Sequence, residues 1–279
     1  MAMASDIQQQ APIGVFDSGV GGLSVLKKIG EEHPAENLIY LADQAHVPYG
    51  ERALLDVRNF TEEITRFFLK LEVKMIVVAC NTASAAALHH LRQEFPQVPF
   101  VGMEPAVKPA AENTISGIVG VLATPATFLG ELYESVVERF AQDVIVLQNT
   151  CPGLVGEIES GCVNSERARM ILENALLPMI DRGIDSVVLG CTHYPFVMPM
   201  IQEIVGEDVR VIDPAPAIAR QVGRVLSGRG INNPDGRPGS VGMFTSGDVE
   251  RFGDLVSMLY GDSSEVEGVI WTESGIQFS

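Results

Sequence analysis

The chain has 279 residues, of which 46% are hydrophobic and 20% charged, a composition typical of one large or two medium-sized folded units and not of a disordered protein. Nineteen basic against 36 acidic residues give a net charge of −17, which disfavours nucleic acid and anionic membranes as direct partners. No apolar run reaches the length of a membrane span and the first twelve residues are polar, so we expect a cytoplasmic protein.

Short apolar runs alternate with amphipathic stretches along the whole chain. Near-continuous apolar runs separated by helix-patterned segments indicate strands buried on both faces, and therefore parallel α/β sheets flanked by helices. The amphipathic spacing of Ala53–Leu71 and Arg167–Asp181 predicts helices, and the glycine-rich stretch Ser227–Ser240 predicts a surface connection. The predicted strands are Ile13–Phe16, Asn37–Ala42, Lys74–Ala79, Pro99–Met103, Ile118–Ala123, Asp143–Leu147, Ser186–Gly190 and Val209–Ile212.

Two strand-to-loop patterns of the first half recur in the second half. The segment 13–18 resembles 119–124, and the segment 77–82 resembles 188–193. The offsets, from Ile13 to Val119 and from Cys80 to Cys191, are 106 and 111 residues. Nearly equal offsets suggest a duplicated α/β unit with a pseudo-twofold relation. In such a molecule the two echoed cysteines are expected to face each other.

Cys80 and Cys191 each end an apolar strand and precede a helix-forming stretch. Open α/β sheets bind ligands at this end of their strands, and a helix N-terminus lowers the pKa of a neighbouring thiol. A single free cysteine more often only packs, but two in equivalent halves favour an acid–base or nucleophilic role. The isolated Cys151 and Cys162 are predicted to be packing thiols, and no spacing of the four cysteines predicts a zinc ribbon or a disulfide scaffold.

The segment after the first predicted strand, Phe16–Ser24, is rich in glycine and begins with Asp17-Ser18. Its tight turns would expose backbone amides that suit a carboxylate or a phosphate. Asp17 has an equally plausible role as a turn or helix cap. The turn at Pro48-Tyr49-Gly50 could present Tyr49 to a ligand, or could be only a turn.

His193, two residues after Cys191, could serve as an acid or base beside the thiol. A Cys-x-His pair is too sparse for a metal site, so no metal is predicted. No lysine lies at a strand end like those of the cysteines, which makes a pyridoxal phosphate enzyme a poor fit. The remaining histidines are predicted to be surface or helix residues: His33, His46, His89 and His90.

Taken together, these motifs resemble the aspartate/glutamate racemase family, and within it the bacterial glutamate racemases, in content, order and spacing over nearly the whole chain. The resemblance implies two pseudosymmetric α/β domains, 1–103 plus 213–279 and 104–212, with the active site in the cleft between them. The segments that carry it are 16–24, 48–50, 79–84, 151–152, 190–195 and 245–248.

The resemblance also implies a cofactor-independent interconversion of L- and D-glutamate that supplies D-glutamate for peptidoglycan synthesis. Cys80 would act on the D-substrate and Cys191 on the L-substrate, one as base and the other as acid. Asp17, His193 and an acidic residue after Cys151-Pro152 would assist the thiols. A homodimer is among the states that the resemblance allows. The substrate-binding residues that it implies are Asp17, Ser18, Tyr49, Gly50, Asn81, Thr82, Thr192 and His193.

The sequence departs from the family after Cys151-Pro152, where it reads Gly-Leu-Val-Gly-Glu-Ile-Glu. Spacing favours Glu159 over Glu157 as the assisting carboxylate, although a glutamate on a helix surface fits nearly as well. Three other functions stay open: a racemase of aspartate or another acidic amino acid, a non-catalytic metabolite-binding regulator, and a cysteine hydrolase. The second echoed cysteine argues against the last two, since neither needs it.

Overall fold

The computed structural model describes residues 6–104, 106–261 and 265–279. Each of the eight predicted strands overlaps one of the observed strands β1 to β8, so these predictions are confirmed. Within the described residues the strands are β1 (Ile13–Asp17), β2 (Leu38–Ala42), β3 (Met75–Val78), β4 (Phe100–Gly102), β5 (Ile118–Ala123), β6 (Ile145–Asn149), β7 (Ser186–Gly190), β8 (Arg210–Ile212), β9 (Val241–Thr245), β10 (Val266–Thr272) and β11 (Gly275–Phe278).

Helices connect most of these strands, as parallel pairing requires. The helices α3 and α9 confirm the two predicted amphipathic helices to within one residue at each end. The described helices are α1 (Asp6–Gln10), α2 (Leu23–Glu32), α3 (Leu54–Lys70), α4 (Asn81–Glu94), α5 (Val107–Asn113), α6 (Pro125–Phe128), α7 (Glu131–Phe140), α8 (Leu154–Glu159), α9 (Glu166–Ile180), α10 (Met198–Val205), α11 (Ala215–Arg229) and α12 (Val249–Leu259).

The strands form two sheets, which we call the first and second lobe together with the helices packed on them. The first sheet has the order β11-β10-β9-β2-β1-β3-β4, and the second has the order β6-β5-β7-β8. All pairs are parallel except β10 with β11. The predicted α/β class with two mainly parallel sheets is therefore confirmed.

Helices cover both faces of each sheet, which explains why the central strands are apolar throughout. Successive side chains of a strand point to opposite faces. Val15 of β1 accordingly packs in a cluster with α2 and α11, whereas the adjacent Phe16 packs in a cluster with α3 and α4. The same alternation separates Leu122 from Val121 in β5. The first of these clusters also runs into the second lobe, so one apolar core joins the two sheets.

Two features near the C-terminus differ from the sequence predictions. Strands β9 to β11 are absent from the sequence predictions. In β10 and β11 the cause is that exposed polar residues mix with apolar ones at the edge of the sheet. The predicted surface connection Ser227–Ser240 begins too early, since α11 continues to Arg229 before Gly230 adopts a left-handed conformation. Within the described residues, none of the helices combines the length and apolar character needed to cross a bilayer.

Candidate active site

Cys80 follows β3 of the first sheet and Cys191 follows β7 of the second, and both thiols line one small cavity between the lobes. The cavity measures about 20 Å³, room for about one water molecule. A hollow of about 350 Å³ beside Arg92 and Arg224 is larger, but no cysteine lines it. The residues around the small cavity are Ser18, Pro48, Tyr49, Gly50, Cys80, Asn81, Thr82, Thr124, Val155, Cys191, Thr192 and His193.

Cys80 is the N-cap residue of α4, as the sequence predicts, and its Sγ accepts a hydrogen bond from the Ala83 amide at 3.4 Å. The expected lowering of its pKa by the helix is outweighed. Burial raises the pKa of the Cys80 thiol well above its ordinary value, and the charge of Asp17 raises it further. The amides of Ala83 and Ser18 counteract this only in part. Cys80 is therefore a buried thiol beside a carboxylate.

Cys191 has different surroundings, since no α-helix begins directly after it. A turn is followed by a short 3-10 helix, Tyr194–Val197, before α10. The group beside the thiol is His193, whose Nδ1 lies 3.7 Å from Cys191 Sγ, while its Nε2 lies 2.5 Å from Glu159 Oε1. Burial alone would lower the pKa of His193, but the contacts with Cys191 and Glu159 outweigh burial and raise it well above its ordinary value.

Glu159 ends α8 and is the acidic residue after Cys151 that enters the site. Its Oε1 also accepts the Val20 amide at 2.8 Å, and its Oε2 accepts the Gln44 amide at 3.3 Å. Although burial raises its pKa, the contact with His193 prevails and holds the pKa below its usual range. Glu157 instead accepts the Ser165 hydroxyl at 2.7 Å. The alternative placement of Glu159 on a helix surface is wrong.

The glycine-rich loop after β1 allows this close approach of the second lobe. A Cβ atom at Gly19 would lie 1.9 Å from Glu159 Oε1, and one at Gly21 would lie 2.5 Å from His193 Nδ1. The loop was predicted to offer backbone amides to a carboxylate or a phosphate. The Val20 amide does bind a carboxylate, but it is the protein's own.

Asp17 is fully buried between the lobes. Its Oδ1 accepts the Gly19 amide at 2.8 Å, which is the capping role considered above, and its Oδ2 accepts the Thr192 hydroxyl at 2.9 Å. Burial raises the pKa of Asp17 from 3.8 to about 6, against the lowering effect of His193. The same carboxylate thus caps a turn, interacts electrostatically with His193 and Glu159, and raises the pKa of the Cys80 thiol.

Polar side chains of the first lobe complete the cavity wall. Both amide atoms of Asn81 are buried, and neither has a hydrogen-bond partner among the described residues. Buried amides without partners are uncommon and mark a place where a ligand can bind. The Thr82 hydroxyl lies 2.8 Å from that of Thr124 across the lobes, and the Ser18 hydroxyl lies 3.4 Å from Asp17 Oδ1.

Tyr49 and Gly50 line the cavity, but the Tyr49 hydroxyl points away from it and donates to Asp43 Oδ2 at 2.6 Å. Asp43 was not singled out from the sequence, although it directly follows β2, whereas Asp17 is the last residue of the neighbouring strand β1. It also accepts from His46 Nδ1 at 2.8 Å and from Trp271 Nε1 at 2.7 Å. His46 is thus not the surface residue expected, since Asp43 holds it and its ring stacks on that of Phe60.

The remaining cysteines lie outside the cavity lining. Cys151 is buried, and burial raises its pKa to about 12. Cys162 is exposed, so the prediction that it packs is wrong. It lies in the turn after α8, whose backbone leaves the side chain in solvent.

The chain is similar to known proteins in both sequence and structure. Residues 13–222 match the model of the family described as Asp/Glu/Hydantoin racemase. The glutamate racemase of Roseiflexus sp. (strain RS-1) is 46% identical over 95% of this chain and 98% of its own length. The crystal structure of glutamate racemase isoform RacE1 from Bacillus anthracis is 34% identical, with a TM-score of 0.85 over 94% of this chain and 98% of that one. Glutamate racemase from Francisella tularensis in complex with D-glutamate is 28% identical, with a TM-score of 0.82 over the same shares.

Proposed function

The chain belongs to the Asp/Glu/Hydantoin racemase family, and we propose that it interconverts L- and D-glutamate without a cofactor. The observation that carries this proposal is that one cysteine from each lobe lines the same cavity. Racemisation needs an acid–base group on each side of the stereocentre, because the proton leaves from one face and returns to the other. The glutamate specificity is supported by relatives of that name which align over nearly their entire length.

The reaction proceeds through two proton transfers. With L-glutamate, the Cys191 thiolate takes the Cα proton and becomes a thiol, leaving a carbanion at Cα. The Cys80 thiol then gives its proton to the opposite face and becomes a thiolate, so that D-glutamate is formed and the charge is conserved. With D-glutamate the roles exchange. Each enantiomer therefore requires the opposite starting protonation of the two thiols.

His193 stabilises the thiolate form of Cys191. Its raised pKa keeps the imidazole cationic near neutral pH, and Nδ1 faces the sulfur while Nε2 faces Glu159. A cation beside a thiol favours the thiolate. Glu159 in turn stabilises the imidazolium and fixes the ring. On the Cys191 side, the imidazole thus lies between the sulfur and a carboxylate.

Asp17 is the charged group beside Cys80. Its pKa of about 6 lets it take up and release a proton near neutral pH. Burial and Asp17 together favour the protonated thiol, which is the form that donates to the carbanion. On this side the resting state is a thiol, ready to act on the intermediate that Cys191 creates.

The substrate binds through neutral donors and acceptors of the cavity wall. The Asn81 amide can donate to the α-carboxylate and accept from the α-ammonium, which would satisfy both of its atoms. Ser18, Thr82 and Thr192 add hydroxyl groups, and Tyr49-Gly50 also line the cavity. Preorganised hydrogen bonds of this kind stabilise the charge that develops when Cα loses its proton.

The cavity of about 20 Å³ is smaller than glutamate, so substrate entry requires the walls to separate. These walls come from both lobes and are held by hydrogen bonds between them. The Thr192 hydroxyl reaches Asp17, the Ser24 hydroxyl reaches the Thr192 carbonyl at 3.1 Å, and the Val20 amide reaches Glu159. We infer that the lobes move apart to bind glutamate and close over it.

We also propose the domain division 1–103 plus 213–279 and 104–212, because every strand of the first sheet falls in the former part and every strand of the second sheet in the latter. The cytoplasm, where the product would supply peptidoglycan synthesis, is the proposed site of action. The homodimer stays a prediction, which sedimentation equilibrium would test.

The test of the function is circular dichroism of L-glutamate incubated with the purified protein and no added cofactor. The signal should decay to zero as the mixture becomes racemic. Deuterium uptake at Cα in heavy water, measured for glutamate and for aspartate, separates the proposal from a racemase specific for aspartate. A protein that binds glutamate but exchanges neither amino acid would be the metabolite-binding regulator instead.

A further inference from the structure

The side-chain amide of Gln44 bridges two groups on different lobes. Its Oε1 accepts the hydroxyl of Thr245, at the end of β9, at 3.0 Å. Its Nε2 donates to Glu159 Oε2 at 3.3 Å. Glu159 Oε1 already accepts hydrogen bonds from the Val20 amide and from His193 Nε2. Within the described residues, Gln44 is the one side chain that donates to the other carboxylate oxygen.

The surrounding hydrogen bonds leave one orientation for the Gln44 amide. The Thr245 oxygen accepts the Gly247 amide at 3.0 Å, which directs its single proton to Gln44 Oε1. The Glu159 carboxylate, whose pKa is lowered, only accepts hydrogen bonds. The amide group of Gln44 must therefore point its NH₂ at Glu159.

The segment Thr245-Ser246-Gly247 is shaped to hold Gln44 in place. A Cβ atom at Gly247 would lie 2.7 Å from Gln44 Cβ, so a side chain there would displace it. The Ser246 hydroxyl donates to Asp43 Oδ1 at 2.7 Å and accepts the Ala45 amide at 3.0 Å, which fixes the residues on either side of Gln44. The sequence singles out this segment, yet none of its residues lines the cavity.

We propose that Gln44 is a positioning residue that fixes the Glu159 carboxylate against His193, and thereby sets the rate of proton transfer at Cys191 but not at Cys80. The inference rests on the proposed racemase function. Without the donor at Oε2, the carboxyl group can rotate about its terminal bond, and the short contact between Glu159 and His193 is held less firmly. The effect reaches Cys191 because His193 lies between the thiol and Glu159.

Loss of activity alone does not reveal which thiol is affected. Enantiomers have equal free energies, so kcat/KM is the same in both directions in every variant. The primary deuterium isotope effect does distinguish the two sides. The deuteron of L-[2-²H]glutamate is removed at Cys191, whereas that of D-[2-²H]glutamate is removed at Cys80. A slower step at Cys191 therefore raises the isotope effect for the L-substrate and lowers it for the D-substrate.

The experiment compares the wild type with Gln44→Met, which keeps the length of the side chain and removes the donor. We expect about a tenfold loss of kcat/KM, as for a hydrogen bond to a charged group, with the two isotope effects moving in opposite directions. Gln44→Glu, which replaces the donor by a like charge, should show the same pattern with a larger loss. The matched control is Gln148→Leu. Gln148 lies on the outer strand β6, and its side-chain amide donates to the Tyr133 hydroxyl. The activity of this variant should stay within twofold of wild type.

Isotope effects that stay unchanged, or that move in the same direction, would overturn the positioning role. The ¹⁵N chemical shift of His193 Nε2, measured in the same proteins without substrate, tests it independently of turnover. It should change in Gln44→Met and stay constant in Gln148→Leu. An unchanged His193 signal in Gln44→Met overturns the inference. A wild type that does not racemise glutamate overturns the proposed function instead, and the His193 chemical shift then still tests whether Gln44 positions Glu159.

Discussion

The two cysteines occupy equivalent places in the two sheets, yet their surroundings differ. Cys80 caps a helix and lies beside the buried Asp17, whereas Cys191 precedes a turn and lies beside the ion pair of His193 and Glu159. Two sheets whose central strands follow the same order thus carry two unlike acid–base systems. The reaction needs a group that can accept or donate a proton on each face of Cα. It does not need the two groups to have the same surroundings.

The largest effect should follow from removing either sulfur. Cys80→Ala and Cys191→Ala are each expected to lower racemisation by at least about 10³-fold, because each removes one of two essential proton transfers. Circular dichroism of glutamate measures the loss, and thermal unfolding shows whether the fold is intact. Cys162→Ala makes the same change at an exposed thiol and should stay within twofold of wild type. Turnover retained in either cavity variant would contradict the two-sided scheme.

The carboxylate of Glu159, which contacts His193, fits only because Gly19 of the first lobe has no side chain. Gly19→Ala places a methyl group 1.9 Å from Glu159 Oε1, a clash that displaces the carboxylate. We expect about a 10²-fold loss of kcat with the fold retained, since a shift of about 1 Å in a catalytic group has this effect. Gly30→Ala is the control. Gly30 lies within α2, where alanine is favourable, and the new methyl group would lie 3.7 Å from the nearest neighbouring side-chain atom, which is ordinary contact. Equal activity of the two variants would mean that racemisation does not depend on the position of the Glu159 carboxylate.

The two carboxylates should give opposite dependences of stability on pH. The pKa of Asp17 is raised from 3.8 to about 6, so the folded protein binds more protons than the unfolded chain between these values. The free energy of unfolding should therefore fall by up to about 3 kcal/mol as the pH rises from about 4 to 6. Urea unfolding of wild type and Asp17→Asn across this range measures it. The variant should lack the fall, and parallel curves would show that Asp17 does not titrate there.

Glu159→Gln changes the carboxylate on the Cys191 side, and we expect it to have the smallest effect of these substitutions. Because Glu159 has a lowered pKa, it stabilises the fold above its ordinary pKa and loses this contribution as the pH falls. Its removal should also lower the pKa of His193, measured by NMR titration with exposed His89 as the internal reference, and reduce kcat about tenfold. A His193 pKa that does not move would separate Glu159 from the Cys191 side.

Much of the fold could be predicted because buried parallel strands leave continuous apolar runs. β1 to β8 were found in this way, whereas the half-exposed edge strands β10 and β11 left no such pattern. The echo of Cys80 and Cys191 predicted that the thiols meet, since equivalent strand ends face each other in a pseudosymmetric pair.

The surroundings of the thiols could not be predicted, because they depend on contacts between distant segments. Val20 and Glu159 are 139 residues apart, and no local pattern indicates that the glycine loop receives this carboxylate. The pKa of Cys80 also follows from burial, which outweighs the helix terminus that the local sequence shows. Gln44 leaves no signal in the sequence for the same reason, since its proposed role depends on its contacts with Thr245 and Glu159 and not on its residue type.

The most direct test of opposed thiols is the position of deuterium during the first turnovers of L-glutamate in heavy water. If Cys191 removes the proton and Cys80 delivers another from the opposite face, the D-glutamate formed early will carry one solvent deuteron at Cα, and the remaining L-glutamate will carry none. Mass spectrometry after separation of the enantiomers measures both. Early D-glutamate that keeps the original proton, or L-glutamate that exchanges as fast as product forms, would show that a single group serves both faces.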